Sequence, residues 1–239
     1  MSSVTLQIEA SPQAVAQVSA KLILEALHSA DGPFSIALAG GSTPRRLYEE
    51  LATQPEAPWA KARLFLGDER ALPLGHADRN STMVERTLVR PLGLDTSQVF
   101  LPTAGQEDLH AAAEDYEAQL LAVAGHPPRL DIVLLGMGGD GHTASLFPGH
   151  SAPSGWVAAV SAPEETAAAR RITLTAASLI SAKRVFVLVT GASKAQRLAD
   201  VFEGRDEGPL AQILEGRSTE TRLIVDMAAT ARLGTHKED

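Results

Sequence analysis

A doubly wound α/β fold, with a mostly parallel sheet covered by helices on both faces, is the architecture this sequence predicts, and three observations carry the prediction. The runs IVLL (132–135) and VFVLV (185–189) are apolar without interruption, as strands are when both of their faces are covered. Runs of this kind recur along the chain with Ala- and Leu-rich helical stretches between them. Hydrophobic residues make up 44% of the chain but aromatic residues only 4%, so the core is built from Ala, Leu, Val and Ile. Such side chains suit helices laid on a sheet better than an aromatic-rich sandwich.

In chain order, a helical pattern at 12–28 leads to a strand at 34–39 (FSIALA), and AGGST then turns the chain into a helix at 43–52. RLFL (63–66) is the next strand and ends at the charged GDER, after which helical patterns occupy 80–89 and 106–123. LDIVLL (130–135) is a buried strand, and 156–160 is a weaker candidate for one. A helix at 176–182, the strand 185–189, a helix at 193–202 and the strand RLIV (222–225) complete the series. The Pro-containing stretches 54–59 and 126–129 read as connecting loops, and no internal repeat or low-complexity run is present. One α/β domain spanning 1–239 is therefore expected, an ordinary length for such a unit.

Composition excludes several functions. With no cysteine there is no disulfide framework, thiolate nucleophile or cysteine metal site, and a reducing compartment is compatible with this. The opening MSSVTLQIEA lacks the basic start and apolar run of a leader, and no stretch approaches the roughly 20 apolar residues of a membrane span. A cytoplasmic protein without a membrane partner is the expectation. The formal net charge of -8 argues against nucleic acid as a partner, but a pocket for a small phosphorylated ligand can still concentrate positive charge locally.

Four motifs carry candidate chemistry. In AGGST (39–43) a strand ends, Gly40 and Gly41 free the backbone, and Ser42 and Thr43 can cap a helix whose first amides would cradle an anion. In GDER (67–70) Arg70 can grip a phosphate or carboxylate, while Asp68 and Glu69 can bind hydroxyls or orient a basic partner. GMGGDGH (136–142) has four glycines in seven residues, which lets the backbone at Gly138 and Gly139 approach a ligand closely. Within it Asp140 and His142 form a polar gap, and a histidine both takes and returns protons near neutral pH. In TGASKA (190–195) Lys194 falls at a helix start beside free amides, and Arg170 and Arg171 precede ITLT upstream. No second histidine or carboxylate lies at a ligand spacing from His142, so no metal is expected. The remaining histidines, His236 among them, have no polar constellation. Each motif alone also fits an unliganded turn, a solvated charge run or a surface lysine. Each of the four follows a predicted buried strand, and one anionic site at a shared sheet edge explains them together.

With AGGSTP (39–44), GDER, GMGGDGHTASLFP (136–148), RITLT (171–175) and TGASKA in this order, the chain resembles the glucosamine-6-phosphate isomerase/6-phosphogluconolactonase family on its lactonase side. The resemblance implies a deaminase-like fold and hydrolysis of 6-phosphogluconolactone, a phosphorylated sugar lactone, without metal or organic cofactor. It makes His142 the catalytic base with Asp140 beside it. It makes Arg70, Arg171 and Lys194 the cationic substrate contacts, with Ser42 and Thr43 on the phosphate side. Backbone amides near 138–141 are candidates for oxyanion stabilisation. Many members have Ser-Asn after GDER, whereas this chain reads Arg79-Asn80-Ser81, which weakens any specific role for Asn80 or Ser81. Related aminosugar-phosphate deaminases usually carry Asn-Glu before the final Pro. Here Leu146-Phe147 stands there, and a Phe cannot supply the carboxylate used in ring opening. A non-catalytic sugar-phosphate sensor would need a DNA-binding module, which the sequence lacks.

Overall fold

The computed structural model describes residues 4–163 and 168–234, so His236 lies outside the described residues. The chain runs through β1 (Val4–Glu9), α1 (Pro12–His28), β2 (Phe34–Leu38), α2 (Ser42–Leu51), β3 (Ala62–Leu66), β4 (Asp68–Arg70) and α3 (Asn80–Val84). A π-helical turn (Glu85–Val89) carries α3 into the short α4 (Arg90–Leu92). Then come α5 (Leu109–Ala124), β5 (Ile132–Leu135), β6 (Val157–Ser161), β7 (Arg170–Leu174), α6 (Ala176–Ser181) and β8 (Arg184–Val189). A 3-10 turn (Ala192–Lys194) leads into α7 (Ala195–Phe202), and α8 (Pro209–Gly216) and β9 (Glu220–Asp226) follow.

Six strands form one parallel sheet in the order β1-β9-β8-β5-β2-β3. Alternation along each strand sends its side chains to two separate cores. Ile36, Leu38, Leu64, Leu66, Ile132, Leu134 and Leu188 face α1, α2 and the π-helical turn. Ala37, Phe65, Val133, Leu135, Val187 and Val225 face α5, α6, α7 and α8 on the other side. This is the doubly wound arrangement the apolar runs predict. From β2 the chain passes to β3 on one side and later to β5 on the other, so the strand order reverses between β2 and β5. Open α/β sheets form their ligand crevices at such a reversal.

A second, smaller sheet, β4-β7-β6, is antiparallel and was not expected. The candidate strand at 156–160 belongs to it and not to the parallel sheet. GDER is not a loop, because Asp68 to Arg70 pair with Arg171 to Thr173. The RITLT segment is likewise a strand. β1 and α8 were also not expected, and the helix expected at 80–89 changes to π geometry at Glu85.

The chain's two tyrosines close the carboxyl ends of the strands leading to this crevice. Tyr48 Oη donates to the Ala39 carbonyl at 2.8 Å. Tyr116 Oη accepts from the Leu66 amide at 2.6 Å and donates to the Leu66 carbonyl at 3.0 Å. Burial pushes both phenols up, so each remains a protonated donor.

Candidate active site

The segments after β2, β3, β5 and β8 meet at the carboxyl edge of the sheet around a cavity of about 280 Å³. Its wall includes Gly41, Ser42, Thr43, Asp68, Arg70, Gly138, His142, Arg171 and Lys194, so residues from all four motifs converge there. Glu69, Gly139 and Asp140 do not line it. A larger cavity of about 810 Å³ lies behind residues 145–151, but its arginines are already paired with carboxylates. The smaller cavity holds Arg70 and Lys194, which have no ion pair among the described residues, and is the better candidate.

His142 sits on a closed turn. The Gly138 amide donates to the His142 carbonyl at 2.7 Å, the Gly141 amide donates to the Gly138 carbonyl at 3.2 Å, and Thr143 Oγ1 donates to the Gly136 carbonyl at 2.8 Å. Two of the amides expected to stabilise an oxyanion are therefore already spent inside the turn. Asp140 Oδ1 accepts from the His142 amide at 3.1 Å and from Nδ1 at 2.6 Å. Partial burial pushes the Asp140 carboxyl up, but the His142 amide and imidazole outweigh that and hold it below the usual carboxylate range. An ionised carboxylate only accepts, so the ring proton resides on Nδ1 and Nε2 is the basic nitrogen. The Phe147 ring lies 5.1 Å from the imidazole, and the Arg171 guanidinium sits 5.6 Å over the same ring. At this position the chain thus carries an aromatic ring against the imidazole and no carboxylate.

The short β4 splits its charges between the cavity and the protein interior, as strand alternation requires. Asp68 lines the cavity, where Oδ2 accepts from Ser145 Oγ at 2.6 Å, Oδ1 accepts from Asn80 Nδ2 at 3.1 Å, and Arg171 Nη1 stands 3.8 Å away. Burial raises its carboxyl, opposed by the Ser145 bond and the Arg171 charge. Glu69 is 0% exposed, which corrects the expectation that it touches a ligand. Its oxygens accept from Arg79 Nε at 3.2 Å, from the Arg70 amide at 2.7 Å and from the Asn80 and Ser81 amides at 2.9 Å each. It anchors the start of α3 from within. Arg70 reaches the cavity, bonds to the Asp78 carbonyl and keeps a buried Nε with no partner among the described residues.

The phosphate-side loop also differs in detail from its sequence reading. Gly41, at φ 104°, is the N-cap of α2, so Ser42 and Thr43 are its first residues and not its caps. The first amides of α2 have no partner within the helix and face an anion-favouring terminus. Thr43 Oγ1 and Thr190 Oγ1 are hydrogen-bonded at 2.7 Å, which ties the AGGST turn to the end of β8. Lys194 reaches the same wall, and its ammonium makes no ion pair or hydrogen bond with the described residues.

Among the wall residues the sequence reading did not single out are Thr190 and Asn80. Thr190 gave no signal beyond its place in TGASKA. Asn80 was assigned no specific role, yet it is wedged between Asp68 and Gly40, where a Cβ would collide with its amide. Its signal was its position at a helix start after GDER.

A histidine–carboxylate pair and several cations, brought to one cavity by the ends of a parallel sheet, define an α/β enzyme framework for a small anionic substrate. The model of the family described as Glucosamine-6-phosphate isomerases/6-phosphogluconolactonase matches residues 10–223, and the chain belongs to that family. The 6-phosphogluconolactonase of Synechocystis is 38% identical over 72% of this chain and 72% of its own. The human 6-phosphogluconolactonase is 35% identical over 93% of this chain and 89% of its own. The structure of 6-phosphogluconolactonase from Trypanosoma cruzi is similar with a TM-score of 0.86 and 30% identity, covering 98% of each chain. A monomeric glucosamine-6-phosphate deaminase, at 22% identity and a TM-score of 0.83, shares the fold, which is the deaminase-like architecture expected.

Proposed function

We propose that this enzyme hydrolyses 6-phosphoglucono-1,5-lactone to 6-phosphogluconate, with His142 as general base. The supporting observation is the 2.6 Å bond between His142 Nδ1 and Asp140 Oδ1, beside a cavity lined by Arg70, Arg171 and Lys194. Nε2 takes a proton from water as the water oxygen attacks the lactone C1. The bond from C1 to the ring oxygen then breaks, and the imidazolium returns the proton to that oxygen, giving the open-chain acid. Asp140 stays ionised, fixes the tautomer and balances the imidazolium charge. Lys194, Arg70 and the first amides of α2 hold the phosphate, while Arg171, anchored by Asp68 and Phe147, adds positive charge to the wall. Phosphate binding supplies the remote energy that places C1 over the base. The names of the relatives and the apolar Phe147 support lactone hydrolysis over amine release.

The test uses freshly generated 6-phosphogluconolactone and initial rates, because the lactone also opens spontaneously. Wild-type protein is expected to accelerate its loss well above that background. His142→Ala is expected to lower kcat by roughly 10²–10⁴-fold, the range of a lost acid–base group, with an unchanged circular dichroism spectrum. A folded His142→Ala variant of undiminished activity would remove His142 from the mechanism.

A further inference from the structure

Two side chains from the segment after β8 press on the glycines of the turn that carries His142. Lys194 comes over Gly139, where a Cβ would lie 3.6 Å from Nζ. Arg197, in the first turn of α7, lies against Gly141, where a Cβ would lie 3.2 Å from both Cδ and Nε. Gly141 has φ 91°, so its bare α-carbon both permits the turn and leaves the space that Arg197 fills. Arg197 is held in place from behind: Nη1 donates to Asp206 Oδ2 at 3.0 Å. Asp206 is itself fixed, with its side chain 6% exposed and its Oδ1 accepting from the Gly208 amide at 2.6 Å, at the N-cap of α8. Neither Arg197 nor Asp206 lines the cavity of the candidate active site.

We infer that Arg197, clamped by Asp206, is a positioning residue that sets the spacing between Lys194 and His142. This rests on the hydrolytic reading above. Binding energy from a phosphate helps a reaction at the far end of the substrate only if the grip and the base are held at a fixed separation. Four glycines make the 136–142 segment conformationally permissive, so its position has to be imposed from outside. The helix that starts beside Lys194 imposes it, because one element carries both the phosphate contact and the side chain that braces the turn. Arg197 therefore matters to a substrate that engages Lys194 and matters little to one that does not.

The experiment compares 6-phosphogluconolactone with unphosphorylated glucono-1,5-lactone in wild type, Arg197→Ala, Asp206→Asn, Lys194→Ala and the Arg197→Ala/Lys194→Ala double variant. On the phosphorylated lactone, Arg197→Ala is expected to lower kcat by roughly 10–100-fold, the scale of a displacement near 1 Å, with KM changed by less than about threefold. Asp206→Asn, which preserves both side-chain volumes, shifts kcat in the same direction and carries the comparison if Arg197→Ala does not fold. On the unphosphorylated lactone Arg197→Ala has no more than about a twofold effect, and in the Lys194→Ala background its cost falls to the same level. Equal losses on both lactones, or fully additive losses in the double variant, would overturn the inference and leave Arg197 a general packing residue. If wild type hydrolyses neither lactone, the reading of the reaction fails instead. The brace is then tested with inorganic phosphate, whose titration shifts the His142 ring resonances in wild type but not in Arg197→Ala; equal shifts overturn it.

Discussion

Gly138 lies beneath both members of the His142–Asp140 pair, and a Cβ there would collide with His142 Nδ1 and Asp140 Oδ1. Backbone strain is not the reason for a glycine at this position; room for the pair is. Gly138→Ala is therefore expected to displace the imidazole and lower kcat/KM by roughly 10²-fold, as steady-state kinetics on the lactone would show, with little change in unfolding midpoint. The pair was legible in the sequence because its partners are two residues apart inside one motif. The Thr43–Thr190 contact was not, since its partners are 147 residues apart and meet only when β2 and β8 lie in one sheet. Glu69 shows the opposite failure. Its charge in GDER suggested a ligand contact, but adjacent residues of a strand face opposite ways, so Asp68 and Glu69 cannot both reach the cavity.

Strands β2 and β3 deliver their loops to the cavity from ends closed by tyrosine hydroxyls, so the phenol oxygens support the elements directly. Tyr116→Phe leaves the Leu66 amide and carbonyl buried without their partner, at a cost of about 1–3 kcal/mol. Urea unfolding is the measurement; an unchanged midpoint would mean that the strand end repacks or admits water. The central strands and the longer helices α1 and α5 were readable because long apolar periods specify them. The antiparallel β4-β7-β6 sheet was not, because β4 is three residues long and fully charged, and its partner β7 begins with two arginines. Such a strand is defined by tertiary pairing and not by propensity. For β1 the signal was present: Val4, Leu6 and Ile8 alternate with polar residues, the period of a half-covered edge strand.

Across the whole molecule, two carboxylates of the site make stability depend on pH with opposite signs. The folded protein holds the Asp140 carboxyl below its ordinary value, so its contribution is present above that value and is lost as pH falls through the depressed one. The buried Asp68 is raised, so its folded state favours the proton and its contribution is lost as pH rises through the elevated value. Asp140→Asn is accordingly expected to unfold at a lower temperature than wild type at neutral pH, with the gap closing as pH drops below about 4, the ordinary carboxylate range. Thermal melts across that range decide it; a gap that persists at low pH would point to lost packing instead of lost charge. The overall α/β architecture was the most legible feature, since it follows from the alternation of buried strands and helices. The strand order was not, because nothing local says that the edge strand β1 pairs with the last strand, β9. That pairing has a consequence for synthesis. β1 ends at Glu9 and its partner begins at Glu220, so a ribosome adding roughly 5–20 residues per second leaves the first strand waiting for roughly 10–40 s before the chain that will cover its edge exists. Once β8 is made it too waits for β9, and until then the half-made sheet exposes apolar edges.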